Sequence, residues 1–152
     1  MRIKIVCVGK IKETYLADGI ADFVRQIRKK ISIEIVELVD EKTPQGASEV
    51  LEDRIRDIEG KRILEKIDSS EHVFALCIEG KQLSTKQFQK RLETLFAEGK
   101  ECITFVIGGS LGLSPQVVNR AKDKISFSSM TFPHQLMRLI LVEQIERVCG
   151  TK

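Results

Sequence analysis

Short cysteine pairs, long apolar runs and the common nucleotide-binding motifs are all missing from this chain of 152 residues. Its four cysteines, Cys7, Cys77, Cys102 and Cys149, form no CxxC spacing, and the two histidines, His72 and His134, stand at no ligand spacing from them. A metal centre or a disulfide framework is therefore poorly supported, and no metal is expected. Cys7, Cys77 and Cys102 lie inside or at the edge of strand-like apolar runs, the pattern of reduced core thiols in a cytosolic protein. No run approaches the ~20 apolar residues that a bilayer span requires. The segment Met1-Arg2-Ile3-Lys4-Ile5-Val6 carries no signal-peptide core. A soluble, cytoplasmic protein with no membrane partner is expected. Neither G-x-G-x-x-G after the first strand nor G-x-x-x-x-G-K-[ST] occurs, which argues against a dinucleotide dehydrogenase and a P-loop enzyme. Internal repeats, linkers and low-complexity segments are also missing, so residues 1–152 are read as a single domain.

What is present is ordinary globular composition: 42% hydrophobic and 31% charged residues exclude disorder. A net charge of +3 permits a polyanionic partner without requiring one. Residues 3–8 turn from alternating to continuously apolar and stop at Gly9, a buried strand and its turn. From 13 to 29 the apolar positions Tyr15, Leu16, Ile20, Phe23, Val24 and Ile27 recur at three and four, giving an amphipathic helix with a basic end that suits its dipole. A strand over 31–38 precedes a loop with Pro44 and Gly46, and a long charged helix over 48–67 follows, with Gly60 as a possible break. Residues 72–78 read as a buried strand ending in a turn at Glu79-Gly80-Lys81, and Ser84 caps a helix to about Ala97 that Gly99 closes. Strands over 103–107 and 125–127 flank a short helix after Ser114-Pro115, and Pro133 begins the last helix. Strands alternating with helices predict an α/β fold, a mainly parallel sheet with helices on both faces.

In open sheets of this kind ligands bind beyond the carboxyl ends of the strands, where the turns after Ile78, Ile107 and Phe127 would lie. Gly108-Gly109-Ser110-Leu111-Gly112 alone reads as a structural turn. Paired with Ser126-Phe127-Ser128-Ser129-Met130-Thr131, it reads as a cup of unencumbered backbone groups for a small polar ligand. His134 and Arg138, four apart, share a face near the start of the last helix and are candidates to hold or polarise an anionic or imide-bearing substrate, although such pairs are more often structural. His72, at a strand entrance, is read as incidental. The last helix leaves hardly any polar face, so it must be buried twice, the second time against another copy of the chain.

The runs Phe105-Val106-Ile107-Gly108-Gly109-Ser110 with Gly112-Leu113, and Ser126-Phe127-Ser128 leading into Met130-Thr131-Phe132-Pro133-His134-Gln135, Arg138 and Glu143-Gln144, resemble the ribosomal RNA large subunit methyltransferase H family. The resemblance extends from Val8-Gly9-Lys10 and Asp40-Glu41-Lys42 through Ile145. It implies a SPOUT-like fold with a C-terminal trefoil knot, a homodimer, S-adenosyl-L-methionine as cofactor, and methylation of N3 of a pseudouridine in 23S rRNA of the large ribosomal subunit. By the same resemblance the cofactor contacts fall on Leu76, Gly108, Phe127, Ser128, Ser129, Met130, Thr131 and Phe132, and the catalytic candidates are His134 and Arg138. Charge this modest implies weak binding to naked RNA and recognition of shape.

After Gln144-Ile145 the family pattern continues with Tyr-Arg-Ala and a stretch ending near Gly-x-x-Tyr-His, whereas this chain reads Glu146-Arg147-Val148-Cys149-Gly150-Thr151-Lys152. That difference is expected to bear on catalysis more than on cofactor binding. The alternative expectation is thus a non-catalytic SPOUT-fold dimer that binds S-adenosylmethionine or the ribosome.

Overall fold

A computed structural model describes residues 1–150; Gly150-Thr151-Lys152 reads from the sequence as a frayed terminus, and its Thr151 and Lys152 lie outside the described residues. The order is β1 (Arg2–Val8), α1 (Thr14–Arg28), β2 (Ser32–Leu38), α2 (Glu49–Leu64), β3 (His72–Gln82), α3 (Thr85–Ala97), β4 (Cys102–Ile107), α4 (Pro115–Arg120), β5 (Asp123–Ser126) and α5 (His134–Ile145), followed by a π-helical turn over Glu146–Gly150. The five strands pair in the order β2-β1-β4-β3-β5, and every pairing is parallel.

The alternation along β1 explains the layering. Ile3, Ile5 and Cys7 belong to a large apolar cluster with Leu16's helix partners Ile20, Val24 and Ile27, with Phe88, Leu92 and Leu95 of α3, and with Leu141, Val142 and Ile145 of α5. Val6 and Val8 point the other way, to Ile63 of α2 and Val117 of α4. Helices α1, α3 and α5 thus cover one face, and α2 and α4 the other, as period-two burial on both sides demands. Phe74 stacks on Phe105 with centroids 4.9 Å apart, and Phe88 meets both rings; each such pair adds about 0.5–1.5 kcal/mol beyond the area it buries.

Local signals set most boundaries. Ser48, Ser84 and Ser114 each accept a backbone N–H three residues on, and Ser84 with Gln87 completes a capping box. Gly99, at φ +92°, ends α3 as expected. Four expectations change. Gly60 does not break α2, because its missing side chain is required by the packing of Ser114 against it. The turn expected at Glu79-Gly80-Lys81 lies inside β3: the pairing with β5 shifts from Leu76 to Lys81 through a bulge, both residues facing Ile125. Tyr15, counted among the inward positions of α1, is exposed. His72, read as incidental, is buried, its Nε2 2.5 Å from the Asp123 carboxylate, which also accepts two hydrogen bonds from Arg91. No helix among the described residues is long and apolar enough to cross a membrane.

Candidate functional site

Because all strands run the same way, their carboxyl ends share one edge, and the loops leaving them meet there. β4 delivers the apolar run from Cys102 straight into Gly108-Gly109. The chain then folds back so tightly that Gly109 and Gly112 bridge, with the Gly112 N–H donating to the Gly109 carbonyl at 3.0 Å. A β-carbon on Gly108 would stand 2.6 Å from the Gly112 carbonyl carbon, and Gly112 itself has φ +82°, so this turn can be built only from glycine at both ends. On the neighbouring strand, a β-carbon on Gly80 would stand 2.5 Å from the Ile125 carbonyl carbon, which is why the bulge in β3 closes on β5 without a side chain.

Beyond β5 the chain holds itself open without regular structure. The Ser126 hydroxyl donates to the Ser128 carbonyl at 2.8 Å, and the Ser128 hydroxyl accepts the Met130 N–H at 3.0 Å. These three strand ends enclose a cleft of about 720 Å³, walled by residues 76–79, 107–113, 125–128 and 130–134, with Val118 and Met137 behind. Its wall is mainly apolar, with Ser110, Ser126, Ser128 and Thr131 among its polar residues, and Glu79 is the one carboxylate residue among those lining it.

Of the residues expected at the site, Leu76, Gly108, Phe127, Ser128, Met130, Thr131, Phe132 and His134 line this cleft together. Ser129 sits in the same segment but is exposed and outside the wall. His134 is half-buried, its Nε2 3.8 Å from where a β-carbon on Gly9 would be. Burial holds its imidazole below its ordinary pKa, helped by the positive charges of Arg138 and Lys12 and opposed by Asp40. The amide oxygen of Gln135 accepts the Lys12 N–H at 3.0 Å, so the loop after β1 is tied to the start of α5.

Arg138 lies behind the cleft, not in its wall. It is 1% exposed; Nη1 donates to Glu37 at 2.6 Å and Nη2 to the Gly9 carbonyl at 3.1 Å, while Nε is buried without a partner. Sharing a helix face with His134 did not bring it to the same surface, because the ends of β1 and β2 claim the guanidinium first. Sequence reasoning missed Glu37 and Lys12, whose charges look like those of any wet strand end or loop. It also missed Val118 and Met137, which carry no signal apart from ordinary helix periodicity.

A family model described as "Predicted SPOUT methyltransferase" matches residues 1–150. The chain is 54% identical over 147 residues to the ribosomal RNA large subunit methyltransferase H of Streptococcus thermophilus (strain CNRZ 1066), covering 97% of this chain and 92% of that protein. It is 50% identical, with the same coverage, to the proteins of that name from Enterococcus faecalis and from Bacillus cytotoxicus.

Proposed function

The chain belongs to the SPOUT methyltransferase family, and from that premise we propose that it methylates N3 of a pseudouridine in 23S rRNA of the large ribosomal subunit, with S-adenosyl-L-methionine as methyl donor. The observation that carries this reading is the single cleft in which the glycine turn, the 126–133 segment and His134 converge. Its volume falls in the ~300–1,000 Å³ range of small-molecule sites. An apolar wall rich in open backbone and hydroxyls suits an adenine, a ribose and a thioether chain, so the residues fit this cofactor. Leu76, Gly108, Phe127, Ser128, Met130, Thr131 and Phe132 would hold it, with Ser129 shaping the segment from outside.

When bound, S-adenosylmethionine supplies a methyl group on a sulfonium, open to in-line displacement. The chain's own work is then to align the acceptor base and to take the proton from its imide N3. His134 stands at the cleft and is biased towards its neutral form, so its Nε2 is the proton acceptor in this reading. Arg138 acts from behind as a positioning residue: through Glu37 and the Gly9 carbonyl it fixes the first turn of α5, and with it His134.

The enzyme works as a cytoplasmic homodimer. On α5, Leu136, Leu139 and Ile140 remain half-exposed, and Tyr15 on the adjoining α1 is exposed, so an apolar strip is left for a second copy. The C-terminal trefoil knot is supported by the chain's path. β5 lies at the edge beyond β3, yet α5 packs on α1, and residues 127–133 must cross the ends of β3 and β4 to reach it.

The test is transfer of labelled methyl from S-adenosylmethionine to ribosomes lacking the modification, with cofactor binding measured on the same preparation. Transfer to the pseudouridine N3 is the expected result. Binding without transfer would favour the non-catalytic dimer, and absence of binding would overturn the cofactor assignment.

A further inference from the structure

Helix α2 is the most charged element of the chain, and its composition reads as a solvated face. Yet Glu59 in its middle is 4% exposed, and no ion pair closes on its carboxylate among the described residues. A buried carboxylate without an ion-paired cation is costly. What surrounds Glu59 gives the reason for keeping it.

Oε2 accepts the Glu41 N–H at 2.9 Å, holding the loop after β2. Oε1 lies 3.2 Å from where a β-carbon on Gly109 would be, so the carboxylate occupies the space that a side chain at the glycine turn would take. One turn earlier on the same helix face, Arg56 Nη1 donates to the Leu111 carbonyl at 3.2 Å. One residue later, a β-carbon on Gly60 would stand 2.3 Å from the Ser114 hydroxyl, which caps α4. Positions 59, 56 and 60 therefore meet the turn at Gly109, at Leu111 and, just past its end, at Ser114. Arg62 completes the grip on the other loop, donating to the Val39 carbonyl at 2.9 Å and to Glu41 at 3.1 Å.

We propose that this face of α2 is a positioning element of the methyltransferase, with Glu59 as its central residue, and that it locks the glycine wall of the cofactor cleft and the loop after β2 into one unit. The inference rests on the cofactor reading above. Neither Glu59 nor Arg56 reaches the cleft itself; Glu59 acts through Gly109 and Glu41, and Arg56 through Leu111.

The test is calorimetric titration of S-adenosylmethionine into the full-length protein and the variants Glu59→Gln, Glu59→Ala and Arg56→Ala, with thermal unfolding in parallel. Glu59→Gln keeps an oxygen to accept the Glu41 N–H and should bind within about twofold of wild type. Glu59→Ala removes that acceptor and should weaken binding by about tenfold. Arg56→Ala, whose side chain is partly exposed, should weaken it by about threefold at nearly unchanged melting temperature. A merely structural role would lower the melting temperature and leave the affinity of the folded protein alone. If Glu59→Ala does not fold, Arg56→Ala decides: wild-type affinity in that variant overturns the proposal. Wild-type affinity in a folded Glu59→Ala does the same. Failure of the unmodified protein to bind overturns the cofactor reading and this inference with it, which is a different outcome from unchanged variants.

Discussion

The two edges of the sheet treat buried charge in opposite ways. At the amino edge, Lys4 of β1 reaches Glu71 at 2.8 Å and the Lys66 carbonyl at 2.5 Å, and the Thr104 hydroxyl donates to the same carboxylate. Beside it, Asp123 gathers His72 and Arg91. Burial alone would raise the Glu71 carboxyl, but the hydrogen bonds from Lys4, Thr104 and the Asp68 N–H outweigh it and hold the pKa below its ordinary value; Asp123 is held low in the same way by Arg91 and His72. At the carboxyl edge burial wins. Glu59 is pushed up despite the Glu41 N–H, and His134 is pushed down. Charges that meet partners hold the amino edge together, whereas the groups held away from their preferred charge state stand beside the proposed cofactor cleft. Arg138 stands between the cases, paired with Glu37 yet with Nε unsatisfied.

This contrast can be broken from either side. The largest effect is expected at the carboxyl edge: His134→Ala should lower the methyl-transfer rate on ribosomes by about 10²–10⁴-fold, as loss of a general base does, while calorimetry shows cofactor affinity unchanged. At the amino edge, Lys4→Met strands a buried carboxylate and should remove about 3–5 kcal/mol of unfolding free energy, read by denaturant titration, with no effect on cofactor affinity. Gly108→Ala forces a β-carbon to 2.6 Å from Gly112; reshaping the turn should cost about 1–3 kcal/mol of cofactor binding, and a smaller loss of melting temperature would place the damage in the wall.

Two pH profiles sharpen the same point with smaller effects. If neutral His134 is the proton acceptor, as proposed, its pKa held below the ordinary 6.5 means that the transfer rate should rise with pH to a plateau with its midpoint under 6.5. Glu71 and Asp123 titrate below their ordinary 4.5 and 3.8, so the stability they confer is fully present above those values and is lost as pH falls through the lower native ones. The melting temperature should therefore fall below about pH 4.5, and Lys4→Met should blunt that dependence.

Most elements were legible because their signals are local. Gly9 and Gly99 close a strand and a helix, Ser48, Ser84 and Ser114 cap helices, and the apolar spacing of α1, Tyr15 apart, sets its inner face. The cup formed by 108–112 and 126–131 was legible because two small-residue strand ends had to share an edge once the sheet was parallel. The strand order was not, since periodicity says which face a residue takes and nothing about which strand lies beside it. The extension of β3 was hidden because Glu79-Gly80-Lys81 has turn composition, while Gly80 serves the close approach of Ile125. Arg138 and Glu59 were misleading for one reason: a charged side chain on a helix gives no sequence sign that its partner is a backbone group far along the chain.

The contrast between the edges is tested most directly by titrating S-adenosylmethionine into wild type, Gly108→Ala and Lys4→Met side by side in a calorimeter. Saturable binding by wild type and Lys4→Met, with marked weakening in Gly108→Ala, is the predicted result. Undiminished binding by Gly108→Ala, or its loss in a folded Lys4→Met, would contradict the placement of the cofactor at the carboxyl edge.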